Sequence, residues 1–167
     1  MDHFKYYPKI EYCDELAVNI MVRNVIRERV NNNQVLYYEY TVRDGEKPET
    51  ISSDYYGTSN NVWLILYANN ILDARFDWAL GIQDFHEFVK DKYGTVEKAQ
   101  IDVHHYLLDN TYIIDQTTYE DINIEAHRKK IVTNYEYEFQ VNEAKRNIKV
   151  IDTVHAQDLI TELQRMF

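Results

Sequence analysis

The stretch from Tyr40 to Ile71, YTVRDGEKPETISSDYYGTSNNVWLILYANNI, constrains the fold more than any other part of the chain. Tyr40 to Arg43 combine β-branched and aromatic residues and predict a strand. Asp44-Gly45 is a turn dipeptide. Pro48 suits the first position of a helix, where its missing N–H costs nothing. That helix carries Ile51 and Tyr55 one turn apart, and Gly57 can supply the left-handed residue that ends it. Ser59 or Asn60 is positioned to cap a second helix through Trp63, Leu66 and Tyr67. This second helix, Val62 to Tyr67, is apolar nearly all round. It must therefore be buried on more than one side, within the chain or against a partner.

The remaining segments are read by period. Phe4, Tyr6, Tyr7, Ile10 and Tyr12 surround Pro8, and the residue before a proline is pushed toward extended backbone; residues 1–13 predict an extended, aromatic arm. Val18, Ile20 and Val22 alternate like a strand, whereas Val22, Ile26 and Val30 repeat like a helix. A short strand to Met21 and a helix to about Val30 are expected, broken by Asn31-Asn32-Asn33. Val35 to Arg43 forms a strand. Asn69 to Leu80 is a loop that holds Phe76 and Trp78. Ile82, Phe85 and Val89 mark a third helix closed by Gly94. Ile101 to Leu108 and Tyr112 to Ile114 predict a hairpin around Asp109-Asn110. Tyr119 to Ile131 is loop-like. From Tyr135 to Val141 the apolar residues alternate as in a strand, but Thr133-x-x-Glu136 is a capping box and Tyr137, Val141, Ala144 and Ile148 share a helical stripe. Helix is the expectation there. A short strand from Ile148 to Ile151 follows, then a C-terminal helix carrying Ala156, Leu159, Ile160, Leu163 and Phe167 behind Thr153 as cap.

Few glycines and prolines (4 and 2) argue against flexible linkers, so we expect a single α+β domain over 1–167. Its parts are an N-terminal arm with strand and helix (1–35), a strand-helix-helix core (36–80), a helix–hairpin–helix region (81–152) and a C-terminal helix (153–167). The net charge of −10 is spread evenly, with no basic stripe to neutralise phosphates, so nucleic acid is not an expected partner. No apolar run nears the roughly 20 residues that span a bilayer, and MDHFKYYPKIEY lacks the apolar core of a signal peptide. Cys13 is the sole cysteine, which excludes an internal disulfide and suits a reducing compartment. The unusual number is 15 tyrosines, a residue enriched at interfaces.

Candidate chemistry is sparse. His104 and His105 are adjacent, and neighbours on a regular strand face opposite ways, so the pair is not expected to chelate one metal. His86 lies with Asp84 and Glu87 on an exposed helix face. Asp73 and Asp77 flank Phe76 and Trp78 in a manner that would suit a sugar site, but glycoside hydrolysis needs two carboxyls held across a cleft. Tyr38, Tyr40, Trp63 and Tyr67 could form a carbohydrate platform or the core of the strand-helix-helix unit. No phosphate loop, nucleotide fingerprint or Ser-His-Asp elbow is present. These absences predict a non-enzyme without metal or cofactor.

The order and spacing from Tyr40 to Ile71 resemble LysM modules, small folds best known for binding cell-wall glycans. More of the chain resembles one family: the baseplate wedge protein "fifty-three" of contractile-tailed phages. The residues that carry this are Asp44, Gly45, Pro48 and Glu49; Tyr56, Gly57 and Thr58; Trp63 and Asn69; the FHEFVKDKYG segment; then Asn142, Glu143, Arg146, Ile148 and Lys149. Where the family has Trp-Pro after the second helix, this chain has Trp78-Ala79.

The resemblance implies a structural subunit of the tail baseplate, present in several copies of a six-fold assembly built in the host cytoplasm. Implied partners are other wedge proteins, sheath-initiator and hub-proximal subunits, and neighbouring wedges. It carries over no catalytic residues and supports helix at Tyr135–Lys145. Phe4, Tyr6, Tyr7, Trp63, Trp78 and Phe167 are the expected partner-contact residues, on the ground that aromatic arms and over-apolar helices need cover. A LysM-type glycan-binding module is the alternative, which a glycan pulldown would distinguish; a lysozyme-like enzyme is a third, which a zymogram would.

Overall fold

The computed structural model describes residues 4–5, 7–22, 36–121 and 123–166. The strands β1 (Lys9–Tyr12), β2 (Glu15–Val18) and β3 (Tyr37–Thr41) come first, followed by the helices α1 (Pro48–Tyr56) and α2 (Val62–Ala68). Next come α3 (Ile82–Tyr93), α4 (Val96–Ile101), β4 (Val103–Leu108), β5 (Tyr112–Ile114) and α5 (Gln116–Glu120). The chain closes with β6 (Lys129–Thr133), α6 (Asn134–Ala144), β7 (Asn147–Ile151) and α7 (Thr153–Met166). This is the expected mixed α+β class, with small sheets and several helices. The residues fall into two compact units: Met1–Trp78 with Arg146–Phe167, and Ala79–Lys145. Tyr6, Phe167 and the helix expected up to Val30 lie outside the described residues.

In the first unit β3 pairs antiparallel with β7, which follows it by about a hundred residues in sequence, Tyr40 opposite Ile148 and Tyr38 opposite Val150. The ladder extends at both ends, Val42 N–H donating to Arg146 and Asp152 N–H to Leu36. Period-2 alternation puts Val42, Ile148 and Val150 on one face, where Ile51, Ile65 and Trp78 complete a buried cluster. A second cluster joins Trp63, Leu64 and Ala68 of α2 to Ile151 and Ala156. Thus α2 is buried on two sides by its own chain, which answers its all-round apolarity. Pro48 opens α1 and Gly57 closes it at φ 73°, as the sequence predicts. The cap differs: Thr58, not Ser59 or Asn60, accepts from Asn60 N–H and starts a single 3₁₀ turn, Ser59–Asn61, that leads into α2. At α7 the capping side chain is likewise Asp152, which accepts from Val154 N–H at 2.8 Å, rather than Thr153.

The N-terminal segment is extended only over β1. It then doubles back through Cys13 and Asp14, both at positive φ, into an antiparallel hairpin with Lys9 opposite Val18. The strand expected to reach Met21 ends at Val18.

In the second unit β4 is the middle strand of the order β5-β4-β6. The hairpin turn lies where expected, Asp109 and Asn110 at φ 53° and 58°, and Arg128 clamps it with Nε 2.8 Å from the Asp109 carboxylate. The segment read as a loop from Tyr119 to Ile131 instead contains the end of α5 and the start of β6. Its signal was the β-branched run Ile131-Val132-Thr133. α4 was also missed; Thr95 caps it by accepting from Lys98 N–H. Phe85, Val89 and Ala99 form the buried centre. Tyr135 and Phe139 of α6 meet Phe85 edge-on, with ring centroids 5.4 and 5.8 Å away. The Thr133–Glu136 capping box is present and decides α6 as a helix.

Candidate functional site

Several of the residues that carry the family resemblance, Asp44, Tyr56, Asn69, Asn142 and Arg146, tie distant segments together. Asn69, at the end of α2, grips the outer edge of β7. Its Nδ2 donates to the Lys149 carbonyl at 2.8 Å and its Oδ1 accepts from Lys149 N–H at 2.7 Å. The side-chain amide thereby reproduces what another strand would offer, and Nδ2 also donates to the Ile65 carbonyl. Asn142 does the same in the second unit, bonding both the N–H and the carbonyl of Leu80 at 2.8 and 3.0 Å. Tyr56 O–H donates to the Ile151 carbonyl at 2.9 Å, and Arg146 pairs with Asp44 at 3.1 Å. The turn that follows β3 closes through Glu46. Its carboxylate accepts from Tyr40 O–H and Arg43 N–H, while its carbonyl accepts from the Trp78 indole at 2.8 Å.

Most of the expected contact aromatics are consumed in the chain's own packing. Tyr7 is 4% exposed, with its hydroxyl 3.0 Å from that of Tyr67; burial, then the Tyr67 bond, pushes its ionisation well upward. Trp63 and Trp78 are buried in the two clusters of the first unit. Phe4 alone of the described four is exposed. The possible carbohydrate platform is not assembled: Tyr40 packs with the first cluster, Trp63 and Tyr67 with the second, and Tyr38 stands against Tyr55.

Nor are the loop carboxylates arranged across a cleft. Asp77 accepts from Leu72 and Asp73 N–H, and Asp73 from Arg75 N–H, so both hold the loop's shape. His86 meets Tyr135 O–H at 3.2 Å. Among the described residues no three His, Cys, Asp or Glu side chains cluster to hold a metal, and no helix is long and apolar enough to cross a membrane.

One sequence argument fails. His104 and His105 do not face opposite ways, because β4 bulges between Val103 and His105. The extra residue turns the His104 ring back, and the two Nδ1 atoms lie 2.8 Å apart.

The buried charge sits in the second unit. Glu138 accepts from Lys92 at 2.7 Å and Tyr93 O–H at 2.8 Å. Burial pushes its carboxyl up, but these two bonds outweigh burial and hold it below the usual value. α6 is therefore inverted: polar Glu138 and Asn142 point inward, while Tyr137, Phe139 and Val141 are exposed.

One stretch of open apolar surface lies in the first unit. Ile10 and Tyr12 line one face of the β1–β2 hairpin, Leu16 and Val18 the other, and all four are exposed, followed by exposed Ile20 and Met21. Among the described residues the hairpin is a sheet of two strands, with exposed apolar side chains on both faces. Sequence reasoning marked this region as aromatic but missed Leu16, because residues 1–13 were read as one extended arm and the turn at Cys13-Asp14 that pairs two short strands was not foreseen.

The family model for base plate wedge protein 53 matches residues 3–126 of this chain, which therefore belongs to that family. No curated protein matches the sequence. Membership makes the chain a structural component of the phage tail baseplate, associated with other baseplate components.

Proposed function

We propose that the chain joins wedge components and neighbouring wedges around the central hub and tube, with the β1–β2 hairpin and Phe4 as its docking element. The observation that carries this is the hairpin itself. An isolated two-stranded sheet is marginal in water, and one with apolar side chains exposed on both faces and, among the described residues, no third strand on either edge is an aggregation hazard unless a partner covers it. Tyr12 and Leu16 are 69% and 75% exposed, far more than a side chain kept for internal packing. Partners of this kind are other wedge proteins, sheath-initiator and hub-proximal subunits and adjacent wedges, in a six-fold assembly formed in the host cytoplasm.

The test is the double variant Tyr12→Ser, Leu16→Ser. Neither residue supports the fold, so melting should move little while incorporation into wedges or rings is lost. Normal assembly of a folded variant would remove the hairpin from the interface. The glycan-reading alternative has no exposed aromatic platform in its favour. Saturable binding of chitin oligomers or peptidoglycan by the purified chain would reinstate it.

A further inference from the structure

The His104–His105 contact joins two imidazoles, Nδ1 to Nδ1 at 2.8 Å; unlike the Tyr7–Tyr67 hydroxyl pair, its partners belong to the side-chain type that changes charge near neutral pH. A hydrogen bond between two Nδ1 atoms needs one proton between them. With both rings neutral, one donates and the other accepts. One added proton still leaves a donor and an acceptor and makes the bond charge-assisted. A second proton leaves two donors, and two positive charges, face to face.

The rings are also built into the packing of the second unit. His104 stacks on Tyr137 of α6, with centroids 3.9 Å apart and planes within 9°, and His105 meets the same ring edge-on at 6.2 Å. Two nitrogens without a third ligand do not make a metal centre, so the geometry points to proton chemistry.

We propose that His104 and His105 form a proton-operated latch: they hold the β4 bulge against α6 while at most one extra proton is bound, and release it when both rings are charged. The surroundings set which ring moves. From α6, Tyr137 offers its π face to His104, and Glu138 lies within electrostatic reach of it, itself tied to Lys92 and Tyr93 of α3. β6 presents uncharged Val132 and Thr133 alongside; its Lys129 and Lys130 lie farther along, opposite Leu108 and Leu107. α5 contributes Tyr119, which packs on Tyr106, and β5 places Tyr112 opposite Leu108. His105 has no carboxylate partner from any of these elements among the described contacts.

Burial, then the neighbouring His104, holds the His105 pKa below its ordinary value. A lowered histidine pKa stabilises the fold fully above the ordinary value, and that contribution is lost as pH falls through the lowered one. The His105 ring therefore swings out on acidification, while His104 keeps its stack on Tyr137.

The experiment is imidazole ¹⁵N NMR of the full labelled chain from about pH 8 to about pH 4, across the histidine range. We expect one Nδ1 protonated and one bare at neutral pH. Protonation should then come in two steps separated by more than about one pH unit, as coupled sites require. The Tyr137 ring resonances should move with the second step. In His105→Asn the remaining histidine should titrate in a single step. Two bare Nδ1 atoms at neutral pH, two independent ordinary titrations, or Tyr137 signals unmoved throughout would each overturn the latch. The wild-type spectra decide this even if the variant does not fold.

Discussion

Asn69→Ala isolates the tie on which the first unit's sheet depends. The side chain makes three bonds at 2.7–2.8 Å, two to Lys149 and one to Ile65. Each intramolecular hydrogen bond is worth about 1 kcal/mol net, and a half-buried carbonyl or amide left without that partner adds part of its desolvation cost. The expected loss is about 2–4 kcal/mol. For a chain of this length, each kcal/mol lowers Tm by roughly 2–4 °C, so a fall of roughly 5–15 °C should be seen. Asn69 has φ −105°, which alanine adopts without strain, so the effect reports the amide and not the backbone. Urea unfolding gives the free energy, and hydrogen exchange locates it: the Lys149 amide should lose protection. Asn69→Asp sharpens the test. It keeps an acceptor for Lys149 N–H but turns a carboxylate oxygen toward two carbonyls, so it should be worse than alanine near neutral pH. It should recover as pH falls through the carboxyl range and the acid becomes a donor. A loss below about 0.5 kcal/mol for Asn69→Ala, with Lys149 protection unchanged, would refute the account.

Lys92→Ala leaves the buried Glu138 carboxylate with the Tyr93 hydroxyl and should cost about 1–2 kcal/mol at neutral pH, less than a fully buried pair because Lys92 is half exposed. Because the Glu138 pKa is depressed, its contribution is complete above the ordinary carboxylate value and disappears as pH falls through the lowered one; thermal melts of wild type and variant should converge in acid. The two compact units are proposed to unfold as one cooperative domain, since β7 and α7 follow the second unit in sequence yet complete the core of the first. A single calorimetric transition is expected, and limited proteolysis that released a stable 79–145 fragment would contradict it.

The parts of the fold legible in the sequence are those decided locally. Pro48 and Gly57 bracket α1, and Asp109-Asn110 sets a turn, because proline and positive φ act on their own residue. The Thr133–Glu136 box identified α6 where periodicity misled. Tyr135 to Val141 alternate as a strand would, and the helix they form turns Glu138 and Asn142 inward. That inversion is stable only because Lys92, Tyr93 and the Leu80 backbone supply partners, from 40 to more than 60 residues away. β6 was lost for a related reason: its pairing partner β4 lies across α5, and the short β-branched run Ile131-Val132-Thr133 does not by itself say where the strand pairs.

The same distinction governs the site. The composition of Val62 to Tyr67 states that α2 is buried on several sides but not by what. The structure answers with Ile151 and Ala156, from a strand and helix about ninety residues later. An over-apolar helix is thus weak evidence for a partner whenever the chain can return to cover it. The hairpin carries the opposite lesson. Ile10, Tyr12, Leu16 and Val18 are an ordinary alternating pattern, and sequence alone would bury one face of it. Among the described residues β1 pairs with β2 alone and both faces keep exposed apolar side chains, so this open surface follows from topology, not hydrophobicity. Under the proposed docking role this division is physically apt: the tryptophans are buried in the chain's own clusters, and the short apolar hairpin is left as the surface a baseplate partner would cover.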